Sequence, residues 1–274
     1  MTAPWSVSRH RAYITCPRQY WLTSVAKVPR EDSPASVRGQ VLHAAVAAGW
    51  AKAAVGAGAD AVLGAIEVAA DDEVARHERR GTQITDYDMW SWIELAALTV
   101  EHAGPKPGDT LLGVEYEVRS EVDGVPVMAR LDLVYETADG TLIVRDWKSS
   151  SEVPTQDDLL RDVQLGLGAL LAARHWGRTR VRVEIGSIGA QVVSGVDMPR
   201  ERAQGTGERV AASARKAATD TEFTPRRSEA CAECKVRRFC PLFAVGPVPE
   251  PNKYTIHGSI RQVDKNSELR EESE

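Results

Sequence analysis

Residues 125–148, with the sequence VPVMARLDLVYETADGTLIVRDWK, contain the pattern that decides the fold. Two apolar runs, 125–136 and 141–148, have the length and the residue types of β-strands. The Ala-Asp-Gly stretch at 138–140 between them is a turn signal, so the whole stretch is predicted to form a β-hairpin.

The predicted hairpin brings charged side chains together. With a three-residue loop, Asp132 is expected opposite Asp146 to within a residue, and the period of a strand puts Asp146 and Lys148 on one face. Like charges directly across a strand pair are destabilising unless a cation lies between them. The hairpin therefore predicts a site for a divalent metal ion.

Outward from the hairpin, the chain alternates strands and helices. Apolar periodicity predicts a strand before the hairpin, and a helix, a strand and a polar helix after it. These elements are expected at 111–122, 157–176, 181–193 and 199–218. The sequence therefore predicts an α/β fold with a three-stranded antiparallel meander, a helix and a further strand.

The front of the chain is predicted to be helical. Ser36 is expected to cap a helix that contains His43, and further helices are expected up to residue 103. We expect one domain over 1–245, with 36–103 as a helical part and 111–193 as the core. Residues 246–274 are Pro-rich and polar, which predicts a disordered tail.

Composition excludes some classes of protein. The chain has 274 residues, of which 43% are hydrophobic and 27% charged, as in soluble globular proteins. No apolar run approaches the ~20 residues that span a bilayer. No signal peptide is evident, so we expect a cytoplasmic protein with no membrane partner.

The net charge of −5 conceals two basic segments. Residues 1–30 hold five Lys or Arg and no acid, and residues 200–240 hold ten Lys or Arg against six acids. Basic surface near both chain ends is compatible with a nucleic-acid partner.

The four cysteines are Cys16 and a C-x2-C-x5-C run at Cys231, Cys234 and Cys240. Disulfides are not expected in the cytoplasm, so metal ligation is favoured over pairing. Spacing alone leaves an iron–sulfur cluster, a zinc ion and ordinary buried thiols open. Either metal would join the chain ends as a clasp formed by position 16 and residues 231–240.

Taken in order, these residues resemble the motifs of the PD-(D/E)XK nucleases. The resemblance is strongest to the RecB-like branch, which includes CRISPR-associated exonucleases with an iron–sulfur cluster, and the nuclease part of the AddB recombination subunit is similar too. It runs from about residue 6 to residue 243. The motifs are Ser8-x7-Cys16-Pro17-Arg18, Gly39-x3-His43, Leu131-Asp132, Asp146-Trp147-Lys148-Ser149, Gln164 and the cysteine run.

The resemblance implies a restriction-endonuclease-like fold and a role for each matching residue. His43, Asp132 and Asp146 would bind Mg²⁺ or Mn²⁺ with the backbone carbonyl of Trp147. Lys148 would position or activate the attacking water. Two more implied roles are Gln164 supporting the lysine and the DNA contacts, and the four cysteines holding a [4Fe–4S] cluster.

Two details lie outside the shared pattern. Relatives often have Tyr four residues after the glutamine, whereas this chain has Gly168. The first strand also carries Glu115 and Glu117, either of which could be an outer-shell ligand.

A structural alternative for Asp132 is a salt bridge with Arg130 or Arg145.

The residues and the resemblance together predict a metal-dependent DNA exonuclease that prefers single-stranded ends. Phage replication, recombination repair and CRISPR adaptation remain open as settings, with protein partners accordingly. The alternative is a non-catalytic DNA-binding accessory protein, stabilised by a cluster or by zinc, on a retired nuclease fold.

Overall fold

The computed structural model describes residues 3–251. Its regular elements are, in chain order, α1 (Val7–Thr15), α2 (Pro17–Tyr20) continuing into a π-helical turn (Trp21–Val25), α3 (Pro34–Ala53), α4 (Ala59–Glu78), α5 (Asp86–His102), β1 (Thr110–Val122), β2 (Val125–Glu136), β3 (Leu142–Lys148), α6 (Gln156–Arg161), α7 (Val163–Trp176), β4 (Val181–Ser187), β5 (Val192–Asp197) and α8 (Arg200–Thr219), followed by two 3₁₀ turns (Glu229–Cys231 and Arg237–Phe239).

One sheet contains all five strands in the order β1-β2-β3-β4-β5. The first three strands form an antiparallel meander, β4 lies parallel to β3 after the α7 crossover, and β5 returns antiparallel to β4. The predicted α/β core, with its meander, helix and further strand, is confirmed.

The hairpin register is the predicted one. Leu133 pairs with Arg145 and Val134 with Val144. Continuing this register by one residue sets Asp132 opposite Asp146. The predicted register therefore agrees with the structure.

Helices cover both faces of the sheet. On one face α3, α4 and α5 pack on sheet residues such as Tyr135 and Trp147. On the other face α1, α7 and α8 pack on residues such as Leu131 and Val144. Nearly all residues of the central strands β3 and β4 are thereby buried, and the burial of apolar area is the main stabilising contribution.

Three predicted elements differ from the structure. The helix expected at 157–176 is two helices, because Asp162 has an extended backbone and caps α7 with its side chain. The strand expected at 181–193 is likewise two strands joined by a turn. The helix of His43 is capped by Ser33 rather than Ser36, since Pro34 supplies its first position.

The far end of the chain lies only partly within the described residues. Residues 246–251 lack helix and strand apart from a 3₁₀ position at residue 251, and the rest of the predicted tail, 252–274, lies outside the described part. Within residues 3–251, every helix is too short or too polar to span a bilayer.

Candidate active site

The candidate site lies where strands β2 and β3 separate. Their ladder ends at the Leu133–Arg145 pair, immediately before Asp132 and Asp146. From Asp146 onward β3 continues its pairing with β4 instead. The Trp147 N–H donates to the Asp132 carboxylate at 2.8 Å, so this side chain takes the place of a backbone acceptor.

Asp146 is held on both sides. Lys148 Nζ lies 2.5 Å from Asp146 Oδ2, as expected for two residues on one face of a strand. Gln164 donates its side-chain N–H to the other oxygen of Asp146. Gln164 is in the first turn of α7, and Asp162 fixes that turn by accepting the backbone N–H groups of Gln164 and Leu165.

His43 approaches Asp132 from the helical layer. Its Nδ1 lies 3.4 Å from Asp132 Oδ2, and its side chain is about one-third exposed. One turn earlier on α3, a Cβ at Gly39 would lie 3.5 Å from Ser149 Oγ, so the helix passes close to the end of the lysine strand. This close passage sets the imidazole beside the carboxylate.

Glu115 completes a group of three possible metal ligands. One ligand atom each from His43, Glu115 and Asp132 lies within 4.8 Å of the others. The backbone of Glu115 has a φ of 49°, an uncommon value for a residue with a Cβ, which is typical of strained functional positions. Arg130 Nε lies 2.7 Å from its carboxylate.

The other candidate on β1, Glu117, lies apart from this group. Its carboxylate is exposed and accepts a 2.6 Å hydrogen bond from Arg119. The geometry therefore favours Glu115 over Glu117, and places Glu115 beside His43 rather than in an outer position.

A salt bridge with Arg130 or Arg145 was the structural alternative for the burial of Asp132, and among the described residues neither arginine pairs with it. Arg145 instead forms a buried ion pair with Glu184 at 2.5 Å, and Arg130 pairs with Glu115. Asp132 itself is 8% exposed. Burial and the negative charge of Asp146 raise its pKa to about 8, although the Trp147 N–H acts in the opposite direction.

These properties fit a divalent cation. Carboxylate oxygens and an imidazole are ligands that Mg²⁺ and Mn²⁺ accept. The pKa of Asp132 is raised first by burial and then by the charge of Asp146, and a bound cation would offset both effects. Asp146 is 6% exposed and lies beside the group, where Lys148 and Gln164 fix both of its oxygens.

A sequence model of the PD-(D/E)XK nuclease superfamily matches residues 4–241. The chain belongs to this superfamily. It is therefore a nuclease, a hydrolase whose substrate is a nucleic acid.

Solved structures agree with this fold. A candidate exonuclease from Eubacterium rectale is 12% identical with a TM-score of 0.54, covering 90% of this chain and 91% of its own. The protein SSO0001 is 13% identical, with coverages of 89% and 90%, but its TM-score of 0.41 is too low to support an argument. Among curated proteins nothing matches significantly.

Gly168 on α7 has a packing role in this nuclease. A Cβ at Gly168 would lie 3.2 Å from Leu131 Cδ2 and 3.5 Å from Val144 Cγ1. Helix α7 thus lies too close to the sheet for a large side chain at this position. The close approach holds Gln164, one turn earlier, over Asp146.

The structure brings the four cysteines of this nuclease around one pocket. All four line it, together with Arg18 and Arg226 among others, and none forms a disulfide. Burial, together with the neighbouring cysteines, raises the pKa of the Cys234 and Cys240 thiols. The predicted convergence of position 16 with residues 231–240 is therefore observed.

Backbone N–H groups point at three of the sulfurs. Arg226 N–H donates to Cys16 Sγ at 3.3 Å, and the N–H groups two residues after Cys234 and Cys240 lie near those sulfurs and lower the pKa of the thiols against the effect of burial. Such donors stabilise thiolates, the form that binds metals. Over residues 3–251, no three cysteine sulfurs lie within 4.8 Å of one another.

Proposed function

We propose that this nuclease is a metal-dependent DNA exonuclease that acts on single-stranded ends. The observation that supports it best is the two-part site. His43, Glu115 and Asp132 form a group able to bind a cation, and Asp146 beside them holds Lys148. Preference for ends draws on the description of the Eubacterium rectale protein as a candidate exonuclease.

Each side chain has a distinct part in phosphodiester hydrolysis. A bound Mg²⁺ or Mn²⁺ would supply positive charge for the phosphate and lower the pKa of the attacking water. The Trp147 N–H and Gln164 orient Asp132 and Asp146, so both carboxylates need little reorganisation on binding substrate. The carbonyl of Trp147 is a further proposed ligand.

Lys148 is the side chain proposed to contact the attacking water. Its side chain is 38% exposed while Asp146 beneath it is buried, so its ammonium group reaches the solvent side of the site. There it would hold the attacking water and offset charge that develops on the phosphate as the new P–O bond forms and the old one breaks. A lysine ammonium is compact enough for this position.

For the cysteines we propose a [4Fe–4S] cluster rather than zinc. A zinc ion with Zn–S bonds of about 2.3 Å brings its sulfurs to roughly 3.8 Å from one another. The convergence of the four cysteines on one pocket supports a shared metal centre, and the resemblance to cluster-bearing exonucleases favours the iron–sulfur form. Its role would be to hold the two chain ends together.

The nuclease proposal is tested by digesting end-labelled linear and circular single-stranded DNA with Mn²⁺ or with chelator. We expect degradation of the linear strand only, dependent on the metal, and a loss of at least a hundredfold in Asp146→Ala and Lys148→Ala. Unchanged activity in both variants would show that the proposed site does not catalyse cleavage, and a wild-type protein without metal-dependent activity would favour the non-catalytic, accessory alternative. Cleavage of the circle would contradict the preference for ends.

A further inference from the structure

Two arginine side chains share one aromatic ring beside the cysteine pocket. The guanidinium carbon of Arg237 lies 4.4 Å from the ring centroid of Phe243, and that of Arg227 lies 5.5 Å from it. Both arginines are exposed. We refer to Arg227 and Arg237 as the arginine pair.

The arginine pair has no counter-charge in the part of the chain that the structure describes. Neither guanidinium forms an ion pair or a hydrogen bond there. The neighbouring Arg238 differs, since its Nε lies 3.5 Å from Glu31. Arg180 is another exposed arginine with a carboxylate partner, Asp139.

Two like charges on one ring attract an anion. Stacking on Phe243 is favourable for each guanidinium, but it brings two positive charges to the same ring. A phosphate between or beside them removes the repulsion. Guanidinium groups are well suited to it, because they donate two parallel hydrogen bonds to phosphate oxygens.

The pair lies at the active-site end of the molecule. Lys235, two residues before Arg237, contacts Ser36 on α3 at 2.7 Å, and its carbonyl accepts the N–H of Glu31. Ser36 precedes His43 by two helical turns, roughly 10 Å along the axis. A nucleic-acid strand that leaves the catalytic site can therefore reach the pair within a few nucleotides.

A second contact fixes the cysteine region to the other site helix. Arg11 on α1, the helix that ends at Cys16, pairs with Asp162 at 3.0 Å. Asp162 caps α7, which carries Gln164. Helix α1 thus contacts the start of α7, and Lys235 contacts the start of α3, so segments adjoining the cysteines touch both helices that supply site residues.

We propose that Arg227 and Arg237 bind backbone phosphates of the strand that is cleaved, on a surface formed by the cysteine region. The inference rests on the proposed function, since it identifies where the substrate of that site is held. The recognised chemistry is the phosphodiester backbone, so base sequence is not read at this surface.

The test measures binding of a fluorescent single-stranded oligonucleotide by anisotropy, in chelator, with Lys148→Ala as the background. We expect Arg227→Gln/Arg237→Gln to bind about tenfold more weakly. The slope of log K against log salt should fall in magnitude by about 1.4, because each single-strand phosphate contact contributes about 0.7.

Arg180→Gln is the matched control, because Arg180 is exposed and pairs with Asp139 in the turn at the opposite end of β3. Arg227→Lys/Arg237→Lys keeps both charges but not the paired hydrogen bonds, so it should retain the salt slope and bind with an affinity between those of the wild type and the Gln double variant. The Lys double variant also tests a purely structural role. If both double variants lose binding and melt at a lower temperature, the pair only covers Phe243. That result would overturn the proposal.

Cleavage assays separate this proposal from the proposed function. In the otherwise wild-type chain, the Gln double variant should raise KM about tenfold with kcat unchanged. If Lys148→Ala still cleaves DNA, the proposed function fails whatever the arginines do. If Lys148→Ala is inactive but the Gln double variant binds as tightly as Arg180→Gln, the arginine-pair proposal alone is wrong.

Discussion

At the scale of single residues, Asp132 is the clearest case of a side chain that is unfavourable for folding but suited to the site. It is buried, it accepts the Trp147 N–H, and it faces the charge of Asp146. A residue that only stabilised the protein would not be an acid at this position, since a buried carboxylate beside another is unfavourable. The proposed cation site would explain its presence, because cation binding needs the negative charge.

The raised pKa of Asp132 makes stability depend on pH when no metal is bound. With a folded-state pKa of about 8 and an ordinary value of 3.8, the folded chain holds one more proton between these values. The free energy of unfolding should therefore fall as pH rises from about 4 to about 8. In Asp132→Asn this contribution disappears, and stability at pH 8 should rise by about 1–2 kcal/mol.

Urea denaturation in chelator at pH 5 and pH 8 measures this difference. Asp157→Asn is the control, because that carboxylate is 74% exposed and lies on the surface. The interpretation of Asp132 is wrong if Asp132→Asn and the wild type lose the same stability between the two pH values.

At the scale of elements, β3 and β4 position the site through close packing. Gly186 on β4 pairs with Trp147 on β3, and a Cβ at Gly186 would lie 2.1 Å from the Trp147 ring. The ring can therefore occupy its place only because residue 186 has no side chain. The same Trp147 supplies the N–H that orients Asp132.

Gly186→Ala should displace the Trp147 ring. We expect a loss of about 1–3 kcal/mol in stability, as for overpacking in a core, and weaker metal binding because the Asp132 carboxylate shifts. Denaturation and Mn²⁺ titration measure the two effects. Gly64→Ala is the control, since Gly64 is in α4 with nothing within 4 Å of an added Cβ, and it should be stabilising. Equal behaviour of the two variants would contradict this account.

The sequence predicted the hairpin because two signals agreed, the turn residues and the apolar runs. It could not predict the break before α7, where the helical pattern continues and one extended residue, Asp162, interrupts it. Glu115 and Glu117 are two residues apart, so a regular strand would place both on the same face. The alternating pattern could therefore not predict which of them lies at the site. The choice depends on a register shift after Leu111 and on the left-handed backbone at Glu115.

At the scale of the whole molecule, the cysteine region joins chain ends more than 200 residues apart. It contacts α3 through Lys235 and Ser36, and it includes Cys16 at the end of α1. The proposed cluster would close this long loop and so restrict the unfolded chain strongly. It also holds the basic ends of the chain beside the catalytic layers.

Cys16→Ser should remove this link. We expect loss of iron and of visible absorbance in anaerobically purified protein, and a fall in stability of about 3 kcal/mol or more, the scale of a cross-link that closes a long loop. Ser228→Ala, in the wall of the same pocket, is the control. Colourless wild-type protein with stoichiometric zinc would show that the centre is not a cluster.

The central claim is that His43, Glu115 and Asp132 bind the catalytic cation, and Mn²⁺ titration followed by electron paramagnetic resonance tests it most directly. His43→Ala and Glu115→Gln should each weaken Mn²⁺ binding at least tenfold, whereas Glu117→Gln, two residues along the same strand, should bind as the wild type does. If Glu115→Gln and Glu117→Gln bind Mn²⁺ equally well, or if His43→Ala binds it normally, the proposed metal site is wrong.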